Sequence, residues 1–312
     1  MTSQSHVQAL GPQEVLEGPL FILSDIDGTL VPHPYFSGMA SSQRARYVER
    51  VASLFSDERF GLLTGRGLTS FERLLSDANL SRALRPHFLG LEFGAHLYAG
   101  QANLFQSPVA SGVHAVLNAI GEAFGQMVLK NPNLAPKDDL LTRMAQGRME
   151  GFVLEPKALI GQVEWFYPDA LTQEAFGHFL SEVVNPLVLN QPDVALQVFP
   201  SRIDVLQRGF VPKAGFLERL PSSLLGNGPA PHVIALGDEL YDSYMFRYLR
   251  EVHAQGLSET TAGVPRKSPG KSPFASVRCY SVGRELAFTD GRFASIEEAL
   301  TQVETWLDAD AP

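Results

Sequence analysis

The chain has 312 residues, 45% of them hydrophobic, enough to bury a sizeable core and to divide into two domains. Its 34 acidic against 25 basic residues give a formal charge of -9, which argues against a nucleic-acid or anionic-membrane partner. A phosphorylated ligand would have to be held by a few well-placed cations. The single Cys279 excludes an intrachain disulfide and fits a reducing cytoplasm. Residues 1–18 carry Glu14 and Glu17 without a continuous apolar core, so they do not read as a signal peptide. No stretch is long and apolar enough to span a membrane, and the expectation is a soluble, cytoplasmic protein.

After a polar leader, the apolar run Leu20 to Leu23 leads directly into Asp25, Asp27 and Gly28 and reads as a buried strand closed by a tight turn. Helical spacing follows over 41–55, a second apolar run over 60–63 ends in Thr64-Gly-Arg66, and 68–80 is again helical. A third strand is expected over 87–91. Strand and helix alternating with polar residues at the strand ends predicts an α/β fold with a doubly wound parallel sheet, Rossmann-like in layout.

From about Tyr98 the pattern changes to a helix over 113–127, a loop rich in Asn and Pro at 131–136, and two neighbouring strands over 151–155 and 160–167. A helix over 171–184 and a second strand pair over 194–199 and 203–206 complete an antiparallel α+β unit. The first pattern then resumes with a helix over 214–220, a strand over 232–236 ending in Gly237-Asp-Glu239, a helix over 243–249, a Ser-, Pro- and Gly-rich loop over 257–273, a strand over 277–282 and a helix over 296–307. The expected division is a core of residues 1–97 and 207–312 with an inserted cap of residues 98–206.

Four polar stations recur at the ends of core elements: Asp25 with Asp27, Thr64 with Arg66, Lys213, and Asp238 with Asp242. Asp25 and Asp27 taken alone also fit a solvated Asp-Gly turn. Carboxylates from two strand ends can share one Mg²⁺, which prefers one or two carboxylates plus substrate phosphate. A carboxylate attacks a phosphate dianion only when their repulsion is offset, and a nearby Mg²⁺ and Lys213 would offset it.

The order and form of these stations resemble the haloacid dehalogenase superfamily of phosphohydrolases, on Asp25-Ile-Asp-Gly-Thr-Leu30, Thr64-Gly-Arg66, Lys213 and Gly237-Asp-Glu-Leu-Tyr-Asp242. The resemblance implies Asp25 as nucleophile and Asp27 as general acid/base, with Thr64 and Lys213 holding the phosphate. It implies Mg²⁺ on Asp25, the Asp27 carbonyl and Asp238, supported by Asp242. Within the superfamily the chain is most similar to trehalose-6-phosphate phosphatases, through Glu155-Pro-Lys157, Met245-Phe246 and, less closely, Asp204. This likeness implies a sugar phosphate as the small-molecule partner, bound by Arg66, Glu155, Lys157 and Asp204.

The chain departs from that family at Leu91-Glu-Phe-Gly94, where Phe93 replaces His, at Lys213-Ala-Gly215, and at Glu239 in place of a second Asp. Sucrose 6-phosphate or a glycosylglycerate phosphate as substrate, a phosphomutase with the same cap type, and a non-catalytic sugar-phosphate sensor are the alternatives. A sensor would be expected to lose a key acid, whereas Asp25, Asp27, Asp238 and Lys213 are all present.

Overall fold

Leu20–Ser24 forms β1 and is buried along its whole length, as an apolar run without alternation should be when both faces of a strand are covered. The computed structural model describes residues 19–32, 40–77, 86–130, 151–166, 170–200, 202–215, 229–257 and 272–309. β1 pairs in parallel with β2 (Phe60–Leu63) on one side and β10 (His232–Gly237) on the other. β11 (Ser276–Val282) and β12 (Gly291–Phe293) continue in parallel beyond β10, and β3 (Phe88–Leu91) beyond β2. β4 (His96–Ala99) then runs antiparallel to β3, and β5 (Ala102–Gln106) ends that side. Among the described residues the order is β12-β11-β10-β1-β2-β3-β4-β5. β1 thus lies between its own successor and a late strand, the kind of switch point beyond whose carboxyl end open α/β sheets bind ligands.

Helices cover both faces. Met245, Phe246 and Leu249 of α6 (Leu240–Leu257) pack against Phe21, Leu23, Val233, Ala235 and Cys279. Strand alternation sends Phe60 and Tyr280 to the opposite face. There Phe55 of α1 (Ser41–Phe55) stacks 6.2 Å from Phe60 and 5.8 Å from Phe71 of α2 (Leu68–Asp77). Trp306 of α7 (Ile296–Ala309) lies 5.5 Å from Tyr280, and Arg50 of α1 reaches Glu304 of α7 at 2.6 Å.

The second sheet is antiparallel, in the order β6-β7-β9-β8: β6 (Gly151–Pro156), β7 (Ile160–Phe166), β9 (Arg202–Gln207) and β8 (Val194–Val198). One face packs Phe152, Val163, Ile203 and Val205 against Val113, Val116, Leu117, Ile120 and Phe124 of α3 (Ser111–Lys130). The rings of Phe124 and Phe152 stack with centroids 3.7 Å apart. Gly161 is required here, because a Cβ at that position would meet Leu117 Cδ1 at 2.0 Å. α4 (Ala170–Phe179) passes through a π-helical turn, Leu180–Val184, into α5 (Asn185–Leu189), and adds Phe176, Phe179 and Val184 to the same core. Alternation leaves Glu155, Gln162, Glu164, Arg202 and Asp204 on the other, polar face.

The chain divides into two compact units, Met1–His33, Met39–Phe105 and Val211–Pro312 in one, Pro34–Gly38 and Gln106–Phe210 in the other. The first unit reaches Phe105 rather than residue 97 because β4 and β5 extend the core sheet. Helix α6 begins at Leu240, between the two acids of the fourth station, and ends at Leu257, so it is longer than 243–249. Of the helix expected over 214–220, residues 214 and 215 belong to a turn and the rest lie outside the described residues. The leader, the 131–136 loop, Tyr167 and positions 258–271 of the Ser- and Pro-rich loop also lie outside them. No helix among the described residues is long and apolar enough to cross a membrane.

Phe246 is fully buried in the α6 face of the sheet. Phe246→Ala is expected to cost about 3–5 kcal/mol, read as a lower denaturation midpoint in urea.

Candidate active site

The end of β1 and the first turn of α6 converge on a buried ammonium. Asp25 follows β1, and its backbone N–H donates to Leu236 O at the end of β10 at 3.0 Å, which fixes the first station against the fourth. Lys213 Nζ lies 2.8 Å from Asp25 Oδ2 and 2.7 Å from Asp242 Oδ1, with all three residues buried. Asp242 uses its other oxygen to accept the backbone N–H groups of Asp238 and Glu239, at 3.0 and 2.9 Å. It therefore holds both the lysine and the turn after β10. Gly237 makes this possible, since a Cβ there would fall 2.1 Å from Asp242 Cγ.

The Asp-Gly-Thr segment serves the same end. Gly28 has φ +77, and a Cβ on it would sit 2.3 Å from Asp238 Oδ2. Thr29 Oγ1 donates to Asp238 Oδ1 at 3.0 Å. One carboxylate oxygen from each of Asp25, Asp238 and Asp242 lies within 4.8 Å of the others.

The electrostatics of this cluster are unbalanced. Burial raises Asp25 well above the usual carboxylate range; Lys213 opposes the shift, while Asp242, Asp238 and Asp27 add to it. Burial likewise raises Asp242 against the pull of Lys213. Asp238 is pushed up to about 7 by burial, then by Asp242 and Glu239. Burial works against the charge on Lys213, but Asp242, Asp25 and Glu239 outweigh it and hold the ammonium charged. One cation among three crowded carboxyls leaves room for a second positive charge. Asp25 Oδ1 is buried with no hydrogen-bond partner among the described residues. An all-oxygen donor set with one uncommitted oxygen fits a hard divalent cation.

Thr64, beyond β2, is fully buried, and its Oγ1 accepts the Arg66 backbone N–H at 3.2 Å. Arg66 places both arms of its fork on Asp27, Nη2 to Oδ1 at 2.6 Å and Nε to Oδ2 at 2.7 Å, and Nη1 reaches Ser70 Oγ at 3.1 Å. The arginine expected to meet substrate thus sits on the general acid/base candidate. Asp27 and Arg66 come together across 39 positions of sequence, and only the fold reveals the pairing.

Sequence reasoning missed the part played by the segment after β3. Glu92 and Phe93 have positive φ, 51° and 59°, strained for residues with a Cβ. Phe93 N–H donates to Thr64 O and Phe93 O accepts Lys213 N–H, each at 2.9 Å, so one residue ties the second station to the third. Lys213 itself has φ 59. Gly65 admits the Phe93 ring, whose position a Cβ would contest at 2.4 Å, and the ring meets Tyr241 edge-on at 5.1 Å. Leu91-Glu-Phe-Gly94 stood out in the sequence, yet nothing in it signals this backbone role. Arg284, whose Nε donates to Asp238 O, was also missed.

In the second unit, Lys157 Nζ lies 3.0 Å from Glu155 Oε2 and donates to Gln162 Oε1. Gln162 Nε2 donates to Asp204 Oδ1 at 3.2 Å, and Arg202 Nε is 3.2 Å from the same oxygen. The structure therefore joins Glu155, Lys157 and Asp204 in one polar array, with Gln162 and Arg202 added.

No family model and no curated protein matches the chain. Among solved structures, it shares the fold of haloacid dehalogenase-type phosphatases. The trehalose-6-phosphate phosphatase C-terminal domain of C. albicans is 18% identical, with a TM-score of 0.59 over 92% of each chain. A trehalose-6-phosphate phosphatase related protein is 15% identical, with a TM-score of 0.56 over 93% of this chain and 100% of that one. A haloacid dehalogenase-like hydrolase from Bacteroides thetaiotaomicron is 14% identical, with a TM-score of 0.53 over 92% and 99%. At these identities the likeness establishes the fold: a mainly parallel, helix-flanked sheet with a separate antiparallel sheet.

Glu164, on the polar face of the second sheet, has its carboxyl pushed up to about 7 by burial and then by Glu155. Its folded-state value lies above the ordinary 4.5 of a glutamate, so the stability it contributes is present below about 4.5 and lost as pH rises through about 7. Glu164→Gln should therefore raise the melting temperature by a few degrees at pH 8 and leave it unchanged near pH 4. Thermal unfolding at the two pH values tests this.

Proposed function

We propose that the chain is a Mg²⁺-dependent phosphatase that hydrolyses a sugar phosphate, with trehalose 6-phosphate the first candidate. The observation that carries the reading is the Lys213 ammonium bridging Asp25 and Asp242 while Asp25 Oδ1 has no partner among the described residues. A turn or a purely structural ion pair has no use for a buried carboxylate oxygen without a partner. Asp25, the Asp27 carbonyl and Asp238 would hold the ion, with Asp242 in support. When bound, it supplies positive charge that offsets the repulsion between carboxylate and phosphate.

In this reading Asp25 attacks phosphorus, an O–P bond forming to the carboxylate as the ester P–O bond breaks. Asp27 passes its proton to the leaving sugar oxygen. Asp27 then takes a proton from the water that attacks the aspartyl phosphate, releasing phosphate and restoring Asp25. Lys213 and the Thr64 hydroxyl hold the phosphoryl oxygens, and the Phe93 backbone keeps both in place. Arg66 sets the direction of the Asp27 carboxylate and contributes to substrate binding. The second unit is the cap domain, and Glu155, Lys157 and Asp204 on its polar face bind sugar hydroxyls. The net negative charge and lone buried thiol fit a cytoplasmic enzyme with a small-molecule partner.

Phosphate release from a panel of trehalose 6-phosphate, sucrose 6-phosphate, a glycosylglycerate phosphate and para-nitrophenyl phosphate, with Mg²⁺, tests the reading. Trehalose 6-phosphate should give the highest kcat/KM. Parity with the aryl ester would remove the sugar assignment, and intramolecular phosphoryl return without release would favour the mutase. Asp25→Asn should lower turnover at least about 10³-fold with the fold intact by circular dichroism; retained turnover would remove the nucleophile assignment.

A further inference from the structure

We infer that Gln162 is the positioning residue of the sugar-binding face, fixing the spacing between the Lys157 ammonium and the Asp204 carboxylate. This rests on the proposed sugar-phosphatase reading and assigns a determinant of its specificity.

Gln162 occupies the middle of a row across the second sheet. Its register partners are Glu155 on β6 and Asp204 on β9, and Asp204 is in turn opposite Gln197 on β8. The side chain is buried, as are Lys157 and Asp204. A buried amide must satisfy both ends, and here the ends are distinguished by charge. The carbonyl oxygen accepts from the Lys157 ammonium, and the NH₂ group donates to the Asp204 carboxylate. The flipped amide would set NH₂ against an ammonium and C=O against a carboxylate, both repulsive. One orientation is therefore imposed.

Each flanking charge has a competing partner. Lys157 can close fully on Glu155, 3.0 Å away, and Asp204 on Arg202, 3.2 Å away. Gln162 shares in both pairs and joins them into one array, Glu155–Lys157–Gln162–Asp204–Arg202, that alternates acceptors and donors across three strands. The Lys157 backbone N–H is anchored separately to Ile160 O at 2.9 Å, so the ammonium, not the main chain, depends on the glutamine. Sugar hydroxyls both donate and accept, and an alternating array at fixed spacing discriminates among them, whereas two collapsed ion pairs would not. A glutamate at this position would face Asp204 with like charge. A methionine of similar length would keep the packing and remove both hydrogen bonds.

The test compares the wild type with Gln162→Met and Gln162→Glu, measuring kcat and KM for trehalose 6-phosphate and for para-nitrophenyl phosphate with Mg²⁺, together with melting temperatures. The informative quantity is the ratio of the two kcat/KM values, which normalises for folded fraction. The inference expects that ratio to fall at least tenfold in both variants, through KM for the sugar phosphate. An unchanged ratio in a folded Gln162→Met variant overturns it, as does a loss that strikes both substrates equally in step with melting temperature. A wild-type enzyme that does not favour the sugar phosphate overturns the underlying specificity reading, and this inference with it.

Discussion

The structure depends on keeping one ammonium charged inside the protein. Lys213 is buried, and an isolated buried ammonium would lose its proton. It stays charged because Asp242 and Asp25 lie within 2.8 Å on two sides. In return the lysine compensates only part of the negative charge around it, since Asp238 and Glu239 stand close behind. A site that is short of positive charge, with one carboxylate oxygen left open, suits a ligand pair made of a divalent cation and a phosphoryl group.

The parallel sheet makes this arrangement with few residues. β1 and β10 are neighbours in register, so Asp25 and Asp238 leave adjacent strand ends on the same edge. Where the acids must approach one another, the chain carries no side chain: Gly28 gives way to Asp238 and Gly237 to Asp242. α6 begins within the fourth station and carries Asp242 in its first turn, while Met245 and Phe246 press the same helix onto the sheet. Packing of the core and placement of the acid are consequences of one amphipathic pattern.

Much of this was legible in the sequence because each station is a short local motif closing an apolar run. Asp25-Ile-Asp-Gly, Thr64-Gly-Arg66 and Gly237-Asp-Glu239 carry both the strand end and its polar group within a few residues. The β4–β5 hairpin was not legible, since β5 is largely exposed and lacks the apolar alternation that announces a strand. Phe93 was legible only as a departure from a family motif; its work is done by its backbone, which no side-chain pattern encodes. The Arg66–Asp27 fork and the Gln162 bridge join residues 39 and 42 positions apart, and a glutamine or arginine read alone is indistinguishable from a solvated surface residue.

The central claim is that Asp25 forms a covalent bond to phosphorus while Lys213 and the neighbouring acids hold the charge in balance. Rapid acid quench during turnover of trehalose 6-phosphate, followed by peptide mass spectrometry, tests it most directly. The account predicts a transient adduct of one phosphoryl group on the peptide containing Asp25, localised to that carboxylate and decaying as phosphate appears. Sustained phosphate release with no such adduct, or with the adduct on another residue, would contradict it.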